Sequence, residues 1–224
     1  MIKNISNLGD AALYCDFGSE VNKKINLEVI KYFNVIKDEN IEGVNNLTPS
    51  YNKLIISYDL KITNFETVKY KIEKLNFKQS QTITSKRIEI PVCCDASFGL
   101  DTLRLEKKLN LTKDKIYENF FNKEFYCYMT GFIAGMPFLG DLDENMRAER
   151  LETPRVKVPK GSVGITEQFA NIYTSESPGG WNIIGNTPLE VFDSSKEDKP
   201  NLINHGDLVI FKQISLDKYE SYYE

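Results

Sequence analysis

The first ninety residues alternate between two hydrophobic periods. Ala11, Leu13, Cys15 and Phe17 fall at every second position, the period of a strand with one buried face. Ile25, Val29, Phe33 and Ile36 recur instead at the spacing of one helical face. After the turn-prone NNLTPSYN segment, Leu54, Ile56 and Tyr58 predict another strand, with a weaker one from Val44 to Leu47 before it. Thr63 and Glu66 have the spacing of a capping box that opens a helix with the stripe Phe65, Val68, Ile72 and Leu75. Ile88, Ile90 and Val92 then alternate again. The resulting order, βαββαβ, predicts a ferredoxin-like α+β domain with both helices on one face of an antiparallel sheet.

Beyond Pro91 the pattern changes. A helix is expected from Thr112, as N-cap, to about Phe121. From there the chain offers short apolar runs split by Gly and Pro: Phe125 to Phe132, Val163 to Ile165, Ala170 to Tyr173, Trp181 to Ile184, Leu189 to Phe192 and Leu208 to Phe211. Such spacing predicts an all-β barrel or sandwich. The boundary is expected in the polar KQSQTITSK segment, giving domains 1–85 and 86–224.

Composition narrows the classes of function. With 41% hydrophobic and 27% charged residues the chain has the make-up of an ordinary globular protein. Its 28 basic and 32 acidic residues are mixed without a long like-charge block, which argues against nucleic acid or an anionic membrane as a partner. No apolar run approaches the length of a membrane span, and MIKNISNLGD lacks the apolar core of a signal peptide, so a cytoplasmic protein is expected. Cys15, Cys93, Cys94 and Cys127 lack CxxC spacing and read as reduced core thiols. One histidine, His205, in an expected turn supports neither a catalytic triad nor a zinc site. Asp141, Asp143 and Glu144 read as a solvated acidic loop rather than a metal site.

Chemistry concentrates where the special backbone geometry is. Eight of the 13 glycines and five of the 8 prolines lie between Gly131 and Phe192. Ser177-Pro178-Gly179-Gly180-Trp181 reads either as a tight turn that brings backbone and a flat indole to a ligand or partner, or as a loop anchored by a buried tryptophan. Arg155 and Lys157, two apart in an extended segment, share a side and could offer paired cations to a carboxylate or phosphate; the alternative is a solvated strand face. Gly161 to Gly164, with the Ser162 hydroxyl, could supply donors to an oxyanion, although the segment lacks the form of a nucleotide-binding loop. Gly131, Phe132 and Gly135 shape either a pocket wall or a bulged strand and its turn.

These same motifs carry a resemblance. SPGGW, followed by Ile184-Gly185 and Thr187-Pro188, together with Pro154-Arg155, Val158-Pro159 and Gly161-Ser162-Val163-Gly164-Ile165, is similar to the KipI-like proteins. That family includes the B subunit of the bacterial ATP-dependent 5-oxoprolinase and the polypeptides named allophanate hydrolase subunit 1. The likeness extends from Gly9-Asp10-Ala11-Ala12-Leu13 through Ile90-Pro91-Val92-Cys93 to His205-Gly206-Asp207-Leu208-Val209-Ile210-Phe211. Three positions depart from the family pattern: Ala134 replaces a proline, Met136 replaces an aromatic or small residue, and Phe120 stands where a histidine is common.

The resemblance implies a small α+β domain followed by a cyclophilin-like β-barrel. It also implies a chain that completes its site only with others: a KipA-like C subunit and a separate A subunit, with which it opens 5-oxoproline to glutamate. On that reading no cofactor is bound by this chain alone and ATP is used by the complex. Two other activities resemble it as well, a KipI-type inhibitor of a sensor histidine kinase and a component of a biotin-dependent, urea-carboxylase-type carboxyltransferase. The residues expected to line the substrate or partner site are Gly131, Phe132, Gly135, Arg155, Lys157, Ser162, Ser177, Gly179, Gly180 and Trp181. None of them is assigned a catalytic role.

Overall fold

In the computed structural model, which describes residues 1–76, 85–197 and 199–224, the alternating N-terminal positions line one face of an antiparallel sheet. The chain divides into two units, Met1–Thr84 and Ser85–Glu224. In the first, β1 (Asn4–Asn7), β2 (Ala12–Asp16), β3 (Val44–Pro49) and β4 (Lys53–Tyr58) pair in the order β1-β2-β4-β3. Leu13 and Cys15 of β2 and Leu54, Ile56 and Tyr58 of β4 point to the same side. There they meet Val29, Tyr32 and Ile36 of α1 (Lys23–Glu39) and Val68 and Ile72 of α2 (Phe65–Lys74) in one core. Asn22 caps α1, its side chain accepting the Ile25 N–H at 2.9 Å.

Two expectations fail here. The strand at Ile88 to Val92 does not join this sheet, so the order is not βαββαβ; the edge beside β2 is held by β1. Residues Asn4–Asn7 alternate no apolar set, because only their two central residues are half-buried, and hydrophobic periodicity therefore missed them. The cap of α2 is Asn64, whose side chain accepts the Thr67 N–H at 3.0 Å, and not Thr63. Residues 78–84 of the segment expected to hold the domain boundary lie outside the described residues.

In the second unit, β5 (Arg87–Cys93), β6 (Glu124–Thr130), β7 (Pro137–Gly140), β9 (Ser162–Thr166), β10 (Phe169–Ile172), β12 (Asn182–Asn186) and β13 (Leu208–Ile214) close a barrel. Around it runs the order β10-β7-β6-β13-β5-β12-β9. Alternate residues fill the interior: Ile90 and Val92, Phe125 and Cys127, Leu139, Val163 and Ile165, Ala170 and Ile172, Ile184, Val209 and Phe211. Helices α3 (Thr102–Leu109) and α4 (Lys113–Phe121) follow β5, and α4 stacks Phe120 on Phe211 with ring centroids 4.8 Å apart. The position where a histidine is common is here a fully buried core position. A short 3-10 turn (Glu144–Met146) precedes the arm β8 (Arg155–Val158) and β11 (Ser177–Gly179), a separate two-stranded sheet; α5 (Leu216–Glu220) ends the chain. Leu189 to Phe192, expected as a strand, makes a single bridge from Phe192 to Asn201. Helix α3 was not expected, since its sequence is polar and short and only Thr102 and Leu105 are buried.

The barrel closes through a parallel ladder from Arg87↔Leu208 to Cys93↔Ile214. Asp207 fixes where that ladder starts. Its Oδ1 accepts the Lys86 N–H at 3.0 Å and its Oδ2 the Asn204 N–H at 2.9 Å, while the Leu208 N–H donates to the Lys86 carbonyl at 2.8 Å. All four cysteines are free and buried, and burial pushes the Cys15 and Cys94 thiols up to about 12 and raises that of Cys127 further. No helix among the described residues is long and apolar enough to cross a membrane.

Two outcomes are expected. Asp207→Ala leaves two amides without an acceptor and lowers unfolding free energy by about 1–3 kcal/mol in urea titrations, with Asp207→Asn losing less. The four thiols react with an aromatic disulfide reagent at pH 8 in denaturant but not in the native protein.

Candidate functional site

The outer face of the barrel wall carries a row of aromatic rings. Alternation that sends Leu139, Ala170 and Ile184 inward sends Phe138, Phe169 and Ile183 outward. Trp181 meets Phe138 edge-on at 5.7 Å between centroids, Phe138 meets Phe169 at 6.4 Å, and Phe169 meets Tyr128 at 5.7 Å. The Tyr128 hydroxyl donates to Asp141, whose oxygens lie 2.9 and 3.1 Å away, and Lys123 pairs with Asp143 at 2.5 Å, so the loop read as solvated has two of its three acids engaged. Burial holds the Tyr128 phenol well above the ordinary tyrosine range, and the neighbouring carboxylate adds to it.

Against one end of this wall lies the arm. Val158 of β8 packs with Met136, Tyr173, Trp181 and Ile183 in a cluster separate from the barrel interior. Gly179 of β11 is required for that approach, because a Cβ there would stand 2.1 Å from the Tyr173 phenol oxygen. Burial raises the Tyr173 phenol, against the opposing pull of the Asn171 side chain and the Trp181 backbone. The Gly180 carbonyl accepts the Leu151 N–H at 2.7 Å. Ser177 Oγ is buried with no hydrogen-bond partner among the described residues.

The residues singled out from sequence fall into three groups. Gly179, Gly180, Ser177 and Trp181 come together at the arm, with Trp181 only 6% exposed, so its indole packs inside the protein. Arg155 and Lys157 share a side of β8, but each meets its own carboxylate. Arg155 makes a two-pronged pair with Asp101 at 2.7 and 2.9 Å, and Lys157 pairs with exposed Glu176 at 2.9 Å. Two free cations are therefore not what β8 offers. Ser162 is 2% exposed at the start of β9, where its N–H donates to the Pro159 carbonyl at 3.2 Å and its carbonyl accepts from Tyr173. The Gly161 N–H likewise goes to the Tyr173 carbonyl at 2.7 Å, so these amides are committed to the fold and not to an oxyanion.

Gly131, Phe132 and Gly135 form the third group, the turn between β6 and β7. The Gly131 N–H donates to the Met136 carbonyl at 3.0 Å, and Thr174 Oγ1 donates to the Ala134 carbonyl at 2.6 Å. Gly135, at φ +70, fits where a Cβ would lie 2.5 Å from the Phe192 ring. Within this tightly bonded turn Phe132 sits at φ 71, a conformation that L side chains avoid, with its side chain 75% exposed. The departures at Ala134 and Met136 are accommodated: Met136 is buried in the outer cluster.

Residues 3–203 match the family described as carboxyltransferase domain, subdomain C and D. The chain is 33% identical over 232 residues to the 5-oxoprolinase B subunit of Bacillus subtilis (strain 168), covering 98% of this chain and 96% of that one. This chain belongs to the family of 5-oxoprolinase B subunits. Urea amidolyase of Saccharomyces cerevisiae is 23% identical over 244 residues, 94% of this chain but 13% of the yeast protein. The crystal structure of TTHA0988 superposes with a TM-score of 0.83 at 26% identity, over 92% of this chain and 40% of that chain. In both longer proteins the counterpart of this B-subunit family member is one segment of a larger polypeptide.

Sequence reading located the arm of this family member through its glycines and proline, and the exposed Phe132 through its flanking Gly131 and Gly135. Asp101 escaped it. As the residue before α3 it reads as a helix cap, and its real partners, Arg155 and Ile183, lie 54 and 82 residues away. A Cβ at Gly179 is expected to push the arm off Tyr173: Gly179→Ala loses about 1–3 kcal/mol of stability by overpacking and shifts the emission of the sole tryptophan, Trp181.

Proposed function

We propose that this chain is the B subunit of an ATP-dependent 5-oxoprolinase. The observation that carries the reading is its end-to-end similarity to a 5-oxoprolinase B subunit, with nearly all of both chains aligned. On this reading its partners are a KipA-like C subunit and a separate A subunit, its barrel is of the cyclophilin-like kind, and it works in the cytoplasm. The chain alone binds no cofactor and turns nothing over. The complex transfers the ATP γ-phosphoryl group to the lactam oxygen, releasing ADP. Water then adds at that carbon and the ring C–N bond breaks to leave γ-glutamyl phosphate, which a second water hydrolyses to L-glutamate and phosphate. Charge accumulating on oxygen in these steps calls for oriented donors and cations.

The candidate groups for lining a site shared with the KipA-like partner are Lys157, the Ser177 hydroxyl, the Gly179–Gly180 backbone, and the Gly131, Phe132 and Gly135 turn. Support for a shared site comes from Phe132. Holding a phenylalanine in the left-handed region costs about 1 kcal/mol or more, and leaving its ring in water recovers none of it. A covering polypeptide would recover it, and the longer relatives have further chain to supply such a cover. A second reading, a component of a biotin-dependent carboxyltransferase, is favoured by the carboxyltransferase family match.

Coexpression with a KipA-like protein and the third component, the A subunit, tests this. The complex is expected to release glutamate from 5-oxoproline only with ATP, and the isolated chain to release none. Turnover by the isolated chain, or carboxyl transfer from a biotinylated carrier in place of glutamate release, defeats the first reading. Phe132→Gly is expected to change stability by less than about 1 kcal/mol, since relief of strain offsets added freedom in the unfolded chain. The same variant weakens copurification of the partner about tenfold or more, the loss of an aromatic anchor at an interface.

A further inference from the structure

One buried carboxylate brackets the Gly179–Trp181 segment from both ends. Asp101 stands at the start of α3 with its side chain 5% exposed, and its two oxygens take both terminal nitrogens of Arg155, at 2.7 and 2.9 Å. The oxygen that receives Arg155 Nη1 also accepts the Ile183 N–H at 2.7 Å, and the Asp101 N–H donates back to the Ile183 carbonyl at 2.9 Å. Strand register explains what these bonds hold. Arg155 is the residue opposite Gly179 across the β8–β11 pair, and Ile183 follows Trp181 by two positions at the start of β12. Asp101 thus grips the partner strand of the glycine-bearing β11 on one side and the continuation of the tryptophan on the other.

The apolar cluster under the arm cannot fix that geometry by itself. Contacts among Val158, Met136, Tyr173, Trp181 and Ile183 are non-directional, whereas a planar guanidinium met by both carboxylate oxygens allows one orientation. An isolated carboxylate this buried would be costly, so the pair holds only while the arm is seated. Arg155, with both Nη atoms turned to Asp101, has its fork occupied within the protein. We infer that Asp101 is a positioning residue: through Arg155 and the Ile183 amide it sets where the Gly179–Gly180 segment and Trp181 stand, and Arg155 acts on the site only through it. This inference rests on the proposed reading for the identity of the site, but the arm's placement can be measured without any partner.

Trp181 is the chain's only tryptophan, and its emission reports the seating of the arm. Asp101→Asn puts an amide N–H against an Arg155 N–H, and Arg155→Lys keeps the charge without the fork. Both variants are expected to shift Trp181 emission to the red and raise acrylamide quenching severalfold, at unchanged far-UV circular dichroism. The double variant goes no further than Asp101→Asn alone, because both changes break one joint. In the assembled complex, both lower kcat by roughly a hundredfold, the effect of about 1 Å of misplacement, with KM for ATP unchanged.

Unaltered emission and quenching in either folded variant overturn the inference, and so do effects that add in the double variant. Should Asp101→Asn fail to fold, Arg155→Lys decides, since that side chain is 28% exposed and its charge remains. A wild-type complex that releases no glutamate defeats the proposed function, while the Trp181 measurements still judge the role of Asp101.

Discussion

Barrel closure rests on a single parallel ladder between the first and last strands of the second unit. β5 and β13 pair in register from Arg87↔Leu208 to Cys93↔Ile214, more than a hundred residues apart in the chain. Every other neighbouring pair in the barrel is antiparallel and spans a shorter separation. Closure leaves no free edge and encloses Ile90, Val92, Phe125, Val209 and Phe211 in one interior. The motif His205-Gly206-Asp207-Leu208 is legible in these terms. Its carboxylate ties the Lys86 and Asn204 amides together and so places the first rung.

With the interior filled, the outer face of the wall becomes the surface on which chemistry can be arranged. Strand alternation gives it aromatic rings, and the β8–β11 arm, not part of the barrel ladder, adds a short glycine-bearing two-stranded sheet beside them. The joint between arm and wall mixes two kinds of force. Burial of Val158, Tyr173 and Trp181 supplies attraction, and the Asp101–Arg155 fork supplies direction. Electrostatics at such a joint contributes more to uniqueness than to total stability, since taking both charges out of water offsets much of their attraction.

Membership of the family of 5-oxoprolinase B subunits gives these features a context. A strained, exposed Phe132 and an arm whose serine hydroxyl has no partner among the described residues are energetic costs carried by the fold. On the proposed reading they belong to a surface that another polypeptide finishes, and they occur in segments where glycine and proline make the sequence informative. A fold alone would not have suggested an activity, because similar barrels host different chemistries.

Local pattern determined much of the architecture: helix α1 with its stripe of Val29 and Ile36, helix α4 from its Thr112 cap, the strands at Leu13, Ile56, Ile165 and Val209, and the glycine-rich arm. Periodicity records whether a residue has a buried side, and it did so correctly for Ile88 to Val92. It does not record which sheet receives the strand: the N-terminal sheet that this run is expected to complete takes the unpatterned Asn4–Asn7 at its edge instead, while Ile88 to Val92 joins the barrel. At the site, glycines and the tryptophan were visible because their geometry is local. The charge partners were not: Arg155 looked like a free cation until the fold brought Asp101 to it, and the Gly161 and Ser162 amides looked available until the fold paired them with Tyr173 and Pro159. Sequence sets what each residue can do over a few neighbours, whereas pairing across tens of residues is decided only by which surfaces the closed barrel leaves side by side.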